Sequence, residues 1–283
     1  MTRDRRHATR TTTGTTAGTG AAGTSSTDPG GETAPTRERR ELLAVDDLWY
    51  AYPDGTAALS GASLRLRSDE RLALLGPNGS GKTTLVLHLL GVLRAASGSI
   101  RVLGRPLDSA GIDAAGGRLG VLFQEPRDQL FTARVRDDVA FGPANQGLRG
   151  DALDRRVEEA LRTVGLAGAG ERSPAHLSVG EQRRAALAAV LAMRPEVLVL
   201  DEPTANLDPS GRRDLARLLI DLRIPLLLVT HDLPFALELC PTACVMDGGR
   251  IVADGPTATV LGQRETMRRH RLELPYGFDP GAG

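Results

Sequence analysis

The sequence is short of several things, and each shortage excludes something. Cysteine appears twice in 283 residues, as Cys240 and Cys244. Two residues cannot build a disulfide framework, so a reducing compartment is expected. Charge of one sign is also lacking, since 35 basic residues balance 35 acidic ones. A neutral chain is a poor candidate for gripping nucleic acid or anionic lipid electrostatically. No run approaches the roughly eighteen apolar residues needed to cross a bilayer. No repeat with a period of about 20–50 residues recurs along the chain. Lysine is the scarcest charged residue: one of the 35 basic side chains is lysine, Lys82, and the rest are arginine. A compact ammonium kept in so arginine-rich a chain points to a site too narrow for a guanidinium.

Hydrophobic residues make up 41% of the chain, enough for a sizeable core. Residues 1–40 are rich in Thr, Gly, Ala, Ser and Arg and carry almost no large apolar side chains. They are expected to form a disordered tail, and they lack the apolar core of a secretory signal. The folded region is expected over 41–262, with a short C-terminal tail from 263 to 283. Alternation of Ala62, Leu64 and Leu66 with polar residues predicts a half-buried strand. Three short apolar runs, Leu72–Leu75, Val197–Leu200 and Pro225–Val229, predict strands covered on both faces of a parallel sheet. Helices are predicted over Lys82–Leu93, Asp151–Val164, Glu181–Met193 and Ser210–Leu222, and a glycine-turn hairpin over 245–252. The expected class is α/β, a mostly parallel core with antiparallel strands in front and a helical insertion at about 125–176.

The first strand of that core runs into Gly76-Pro77-Asn78-Gly79-Ser80-Gly81-Lys82-Thr83, followed by Thr84. Such a loop turns its backbone N–H groups inward at a helix N-terminus, where they cradle phosphates. Lys82 is expected to reach the β- and γ-phosphates of a nucleotide and Thr83 to ligate Mg²⁺. A simple glycine turn is the alternative, but three matching positions around the only lysine arise by chance at roughly 0.002. The loop alone does not separate kinases, GTPases and motor ATPases. A second motif lies 119 residues after Lys82, where Val197–Leu200 ends in Asp201-Glu202. Asp201 is suited to holding Mg²⁺ and Glu202 to polarising an attacking water. Gln124 closes another apolar stretch, Leu177-Ser178-Val179-Gly180-Glu181-Gln182 precedes the acidic pair, and Ala205-Asn206-Leu207-Asp208 and Thr230-His231-Asp232 follow it.

In this order and spacing the set resembles an ATP-binding cassette (ABC) ATPase, the nucleotide-binding subunit of a transporter, over residues 42 to about 262. The resemblance implies a P-loop NTPase fold, a RecA-like sheet with an antiparallel β subdomain and an inserted helical subdomain. It implies ATP and Mg²⁺ as ligands, with Thr83, Gln124 and Asp201 around the metal. It further implies Glu202, His231 and Gln124 as the catalytic set and Tyr52 as the aromatic that stacks on adenine. Ser178, Val179, Gly180 and Glu181 form the signature segment, which together with Asp208 serves the nucleotide held by a second subunit. Val179 and Glu181 depart from the usual LSGGQ. The donors of Ser178 and Gly180 are kept, and Glu181 still offers an acceptor for a ribose hydroxyl.

A narrower resemblance is carried by Tyr50-Ala51-Tyr52-Pro53-Asp54-Gly55-Thr56, by Phe123–Phe131, by Asp137–Pro143 and by Leu191–Glu196. These stretches resemble energy-coupling factor ATPases, particularly subunits for cobalt or nickel uptake; ATPases of vitamin importers are similar. The partners so implied are a second ATPase subunit, with a homodimer as the simplest case, and integral membrane subunits docking at the Gln124 groove. The site of action is then the cytoplasmic face of the membrane, with no nucleic acid bound. A cassette ATPase of DNA repair or translation is the competing class. Only 54 residues separate Gln124 from Ser178, which leaves no room for the long coiled coil of such proteins.

Overall fold

A computed structural model describes residues 39–107 and 117–272, together with Leu274, Gly277 and Asp279. Nearly all of the expected N-terminal tail therefore lies outside the described residues. Two sheets organise the rest. The first is antiparallel and joins β1 (Glu41–Ala51), β2 (Ala57–Arg67), β4 (Ser97–Val102) and β5 (Arg105–Pro106) in the order β2-β1-β4-β5. In β2 the alternating side chains are alternately buried and open, as the sequence pattern requires.

The second sheet contains β3 (Arg71–Leu75), β6 (Leu119–Leu122), β7 (Val197–Asp201), β8 (Leu226–Thr230), β9 (Thr242–Asp247) and β10 (Arg250–Pro256). Its order is β10-β9-β3-β8-β7-β6, and every neighbouring pair is parallel except the β9–β10 hairpin. The three apolar runs are the centre of this sheet, and successive residues feed two separate cores. Leu72, Leu74, Val197, Val199, Leu227 and Val229 pack into one. Ala73, Leu75, Leu198, Leu200, Leu226 and Leu228 pack into the other. A strand buried on both faces cannot alternate with polar residues, which is why these runs read as continuous.

Eight α-helices fall among the described residues. They are α1 (Lys82–Leu89), α2 (Val135–Asn145), α3 (Gly150–Thr163), α4 (Val179–Ala192), α5 (Pro209–Leu222), α6 (Leu233–Leu239), α7 (Thr257–Gly262) and α8 (Arg264–Arg269). Helix α1 stops four residues short of the expected Leu93, because Gly91 follows its cap at φ 70. Helix α4 begins two residues early, because Ser178 caps it. Past residue 262 the chain continues into α8, which buries Met267, and on to buried Leu272. The stretch between β6 and α4 holds α2, α3 and two 3₁₀ turns, Pro126–Asp128 and Pro174–His176. Cys240 and Cys244 are buried and unbridged, and burial pushes each thiol up to about 12. No helix among the described residues is long and apolar enough to cross a membrane.

Candidate functional site

The glycine-rich loop links the C-terminal end of β3 to the first turn of α1. Gly81 sits at φ 105, and a Cβ there would lie 2.4 Å from the Ala58 carbonyl oxygen of β2. Only glycine tolerates both that backbone and that approach. Behind the loop, the Ser60 amide donates to the Gly249 carbonyl (2.9 Å) and the Gly249 amide to the Ser80 carbonyl (3.0 Å), so β2 and the hairpin turn brace it. Lys82 is buried and its ammonium donates to the carbonyls of Gly76 (2.7 Å) and Pro77 (2.9 Å). Burial lowers its pKa, while Glu202 and Asp201 oppose that shift. The Ser80 hydroxyl is buried in the loop without a partner.

A cavity of about 280 Å³ opens beside the loop. It brings together Asn78, Gly79, Gly81, Lys82, Thr83 and Thr84 with Tyr52, Gln124, Asp201 and Glu202, residues far apart in the sequence. Thr83 donates its hydroxyl to Asp201 Oδ2 at 3.2 Å. Burial raises the pKa of Asp201 and the Thr83 bond opposes the rise; the neighbouring Glu202 adds to it. The Thr83 hydroxyl, the Asp201 carboxylate and the Gln124 amide form an all-oxygen donor set, which suits a hard cation such as Mg²⁺. No group of three or more His, Cys, Asp or Glu side chains among the described residues is placed to hold a metal ion. The hydroxyl of Tyr52 lies 3.0 Å from that of Thr84, and its ring meets Tyr50 edge-on at 5.1 Å. Trp49 lies outside this cavity and packs under Arg250.

Glu202 follows β7 at φ 47, an uncommon conformation for a residue with a side chain. Its carboxylate is buried and meets three donors. Oε1 lies 2.8 Å from His231 Nδ1, and Oε2 accepts from the Thr230 hydroxyl (3.1 Å) and the His231 amide (3.4 Å). Because β7 and β8 are parallel neighbours, their C-terminal ends deliver Glu202 and His231 to the same place.

Ser178, Val179, Gly180, Glu181 and Asp208 do not line this cavity. Ser178 caps α4 and Asp208 caps α5, where it accepts from the Gly211 amide at 2.6 Å. Glu181 is more occupied than the sequence suggested. Its Oε2 accepts from the Ser178 amide (2.8 Å) and its Oε1 from Arg172 (2.9 Å). Those two contacts, the amide first, hold its carboxyl down to about 2. Glu181 is thus also one half of a capping box, with each carboxylate oxygen meeting one donor.

Three residues escaped the sequence reading. The side chain of Gln129 accepts from the Phe123 amide (3.0 Å) and donates to the Val121 carbonyl (2.9 Å). It extends β6 sideways and so fixes the stretch ahead of Gln124. Asp138 is buried and accepts from the amides of Phe131 and Thr132, which leaves Phe131 exposed against Phe141. Arg183 is buried among motif backbones. Its only signal is periodicity, since Ala186, Leu187 and Val190 lie three, four and seven residues on and share its buried face.

Fold and site together define a P-loop nucleotide-binding protein. A family model described as ABC transporter matches residues 59–205. A protein of Streptomyces coelicolor provisionally named an ABC transporter ATP-binding protein is 53% identical over 87% of this chain and 95% of its own length. The energy-coupling factor transporter ATP-binding protein EcfA of Methanocaldococcus jannaschii is 41% identical over 83% of this chain and 86% of that protein. Among solved structures, cbiO1 of Clostridium perfringens, described as part of the ABC transporter complex cbiONQ, superposes with a TM-score of 0.73. It is 38% identical and covers 83% of this chain and 96% of its own. The chain belongs to the ABC transporter family, as an ATP-binding and ATP-hydrolysing subunit.

Proposed function

We propose that this protein powers an importer of the energy-coupling factor type, with Co²⁺ or Ni²⁺ as the cargo. The catalytic part rests on one observation: the buried Glu202 carboxylate, held by Thr230 and His231 at the rim of the P-loop cavity. In this reading the backbone N–H groups from Asn78 to Thr84 cradle the phosphates, and Lys82 exchanges its two loop carbonyls for phosphate oxygens. Tyr52 covers the adenine. Thr83, Asp201 and Gln124 hold Mg²⁺, which when bound neutralises charge on the β- and γ-phosphates. Glu202 polarises the attacking water, and His231 fixes the carboxylate oxygen that faces it.

Ser178, Val179 and Gly180, with Asp208, serve the phosphates bound by a second ATPase subunit, most simply another copy of this chain. Within that segment Glu181 shapes the helix start. The groove between Gln124 and the helices α2 and α3 receives the membrane subunits, which holds the protein at the cytoplasmic face of the membrane. Likeness to cbiO1 over nearly its whole length supports work within a multi-subunit ABC transporter complex. The metal cargo rests on the resemblance of Tyr50–Thr56, Phe123–Phe131, Asp137–Pro143 and Leu191–Glu196 to cobalt and nickel uptake subunits. The EcfA names state no cargo, so a vitamin importer is the second reading. Glu202→Gln tests the mechanism: ATP binding stays and turnover falls by on the order of 10²–10⁴. Wild-type turnover in that variant removes Glu202 from the reaction. Uptake of radioactive cobalt or nickel by vesicles carrying the full complex tests the cargo, and absence of ATP-driven uptake of either metal defeats it.

A further inference from the structure

Arg183 is the largest fully enclosed side chain among the described residues, at 1% exposure. It stands near the start of α4, five residues after the capping Ser178. Its contacts are unusual for a buried cation, because the guanidinium meets backbone carbonyls instead of a carboxylate. Nη1 donates to Glu202 O at 3.2 Å, while Nη2 donates to Gln124 O at 2.9 Å and Ala205 O at 3.0 Å. Nε is buried without a partner. Burial lowers the pKa of the group, and Glu125 offsets part of that.

Enclosing a charge costs more than enclosing an apolar side chain of the same volume, and carbonyl dipoles recover only part of the difference. Stability alone therefore gives no reason for a guanidinium here. A methionine would fill much of the space and leave no charge to satisfy. The guanidinium can do one thing that methionine cannot, which is to collect three carbonyls whose directions differ, using a rigid planar fork. The three carbonyls belong to three segments: Gln124 two residues past β6, Glu202 directly after β7, and the loop that leads to Asp208. Glu202 is also the residue with the uncommon backbone. At φ 47 its carbonyl is held by Arg183 and by the Ala205 amide at 3.1 Å. Without that anchor the Glu202 backbone is free to leave this conformation, and a change at its Cα would carry the carboxylate away from Thr230 and His231.

We propose that Arg183 is a positioning residue for hydrolysis, fixing the Glu202 and Gln124 backbones to the helix that begins at Ser178 without touching the nucleotide. The inference rests on the catalytic role proposed for Glu202. It makes α4 a rigid link, so that movement of its capped end is felt at Glu202 and at Gln124 together.

The test is a double-mutant cycle on the full chain, read as nucleotide affinity and single-turnover ATP hydrolysis. In Arg183→Met the ATP Kd is expected to stay within about threefold while turnover falls by about 10²-fold, the cost of a misplacement near 1 Å. Placed in a Glu202→Gln background, Arg183→Met should cost less than about threefold more, because both changes remove the same contribution. If thermal unfolding shows that Arg183→Met does not fold, Arg183→Lys takes its place in the cycle. Lysine keeps the charge and the apolar stem, and its turnover is expected to fall by about 10-fold at unchanged affinity. Undiminished turnover in the folded variant overturns the inference. So does a loss shared equally between affinity and turnover, or a full additional loss in the Glu202→Gln background. Wild-type turnover by Glu202→Gln alone sinks the role of Glu202 and this inference with it. A normal Glu202→Gln defect combined with an additive Arg183 loss sinks the inference only.

Discussion

Phe131 gives the most direct way to separate ATP chemistry from coupling to a membrane partner. The residue is 63% exposed, although its own amide and that of Thr132 are pinned by buried Asp138. Phe141 stands beside it, 52% exposed, with ring centroids 5.2 Å apart and an angle of 88°. A phenylalanine carries about 150–250 Å² of surface. At 63% exposure roughly 100–150 Å² remains for a partner to cover. At about 25 cal/mol per Å² that is about 3 kcal/mol. Ordering of side chains at the interface takes back about 1 kcal/mol. The remaining 2 kcal/mol corresponds to about 30-fold in affinity. Phe131→Ala, alone or with exposed Asp128→Ala, is thus expected to weaken co-purification with the membrane subunits and ATP-driven uptake by about 10- to 30-fold. ATP binding by the isolated subunit should be unchanged, because neither residue lines the nucleotide cavity. The assay sets vesicle uptake beside nucleotide binding. Unchanged uptake and co-purification, or a loss confined to ATP binding, refutes the placement of the coupling surface.

Other expectations follow from the same contacts. Lys82→Arg should lose about 10²-fold in ATP affinity or turnover, since the fork cannot occupy the place of an ammonium held between two loop carbonyls; near-native activity would leave the lone lysine unexplained. Gln129→Ala strands the Phe123 amide and the Val121 carbonyl and should lower unfolding stability by about 1–2 kcal/mol, measured by denaturant titration, with ATP affinity less affected. The Glu181 carboxyl is held below its ordinary 4.5, first by the Ser178 amide and then by Arg172, so the capping box contributes stability above pH 4.5 and loses it as pH falls toward about 2. In a carboxyl NMR titration, Arg172→Ala should move the Glu181 midpoint upward, and an unmoved midpoint would remove Arg172 from the account.

Much of the core was legible because burial on both faces leaves an unmistakable trace. Leu72–Leu75, Val197–Leu200 and the run before Thr230 could hardly be anything but inner strands, and the motifs sit at their ends. Element ends were less legible. Gly91 stops α1 through a backbone choice that apolar periodicity does not register, and Ser178 extends α4 by capping it. The contacts of Gln129, Asp138 and Arg183 could not be read at all. Each of these side chains bonds to backbone groups, and a carbonyl or amide looks alike whatever residue carries it. Glu181 shows the same blind spot: its motif position says nothing of Arg172, nine residues earlier, which donates to its carboxylate.

The parallel register of the second sheet has a consequence for what this gene can tolerate. Asp201 lies opposite Val229, and Leu75 opposite Thr230, so the three strand ends finish in step. A single-residue deletion inside β7 would draw the acidic pair back by about 3.3 Å and turn each side chain to the opposite face. Asp201 would leave Thr83, Glu202 would leave His231, and the leucines and valines would exchange cores. An insertion of the same size in the exposed turn between α2 and α3 moves none of these partners. Indels in this protein should accordingly partition sharply, with surface turns free to lengthen and the inner strands fixed in residue count.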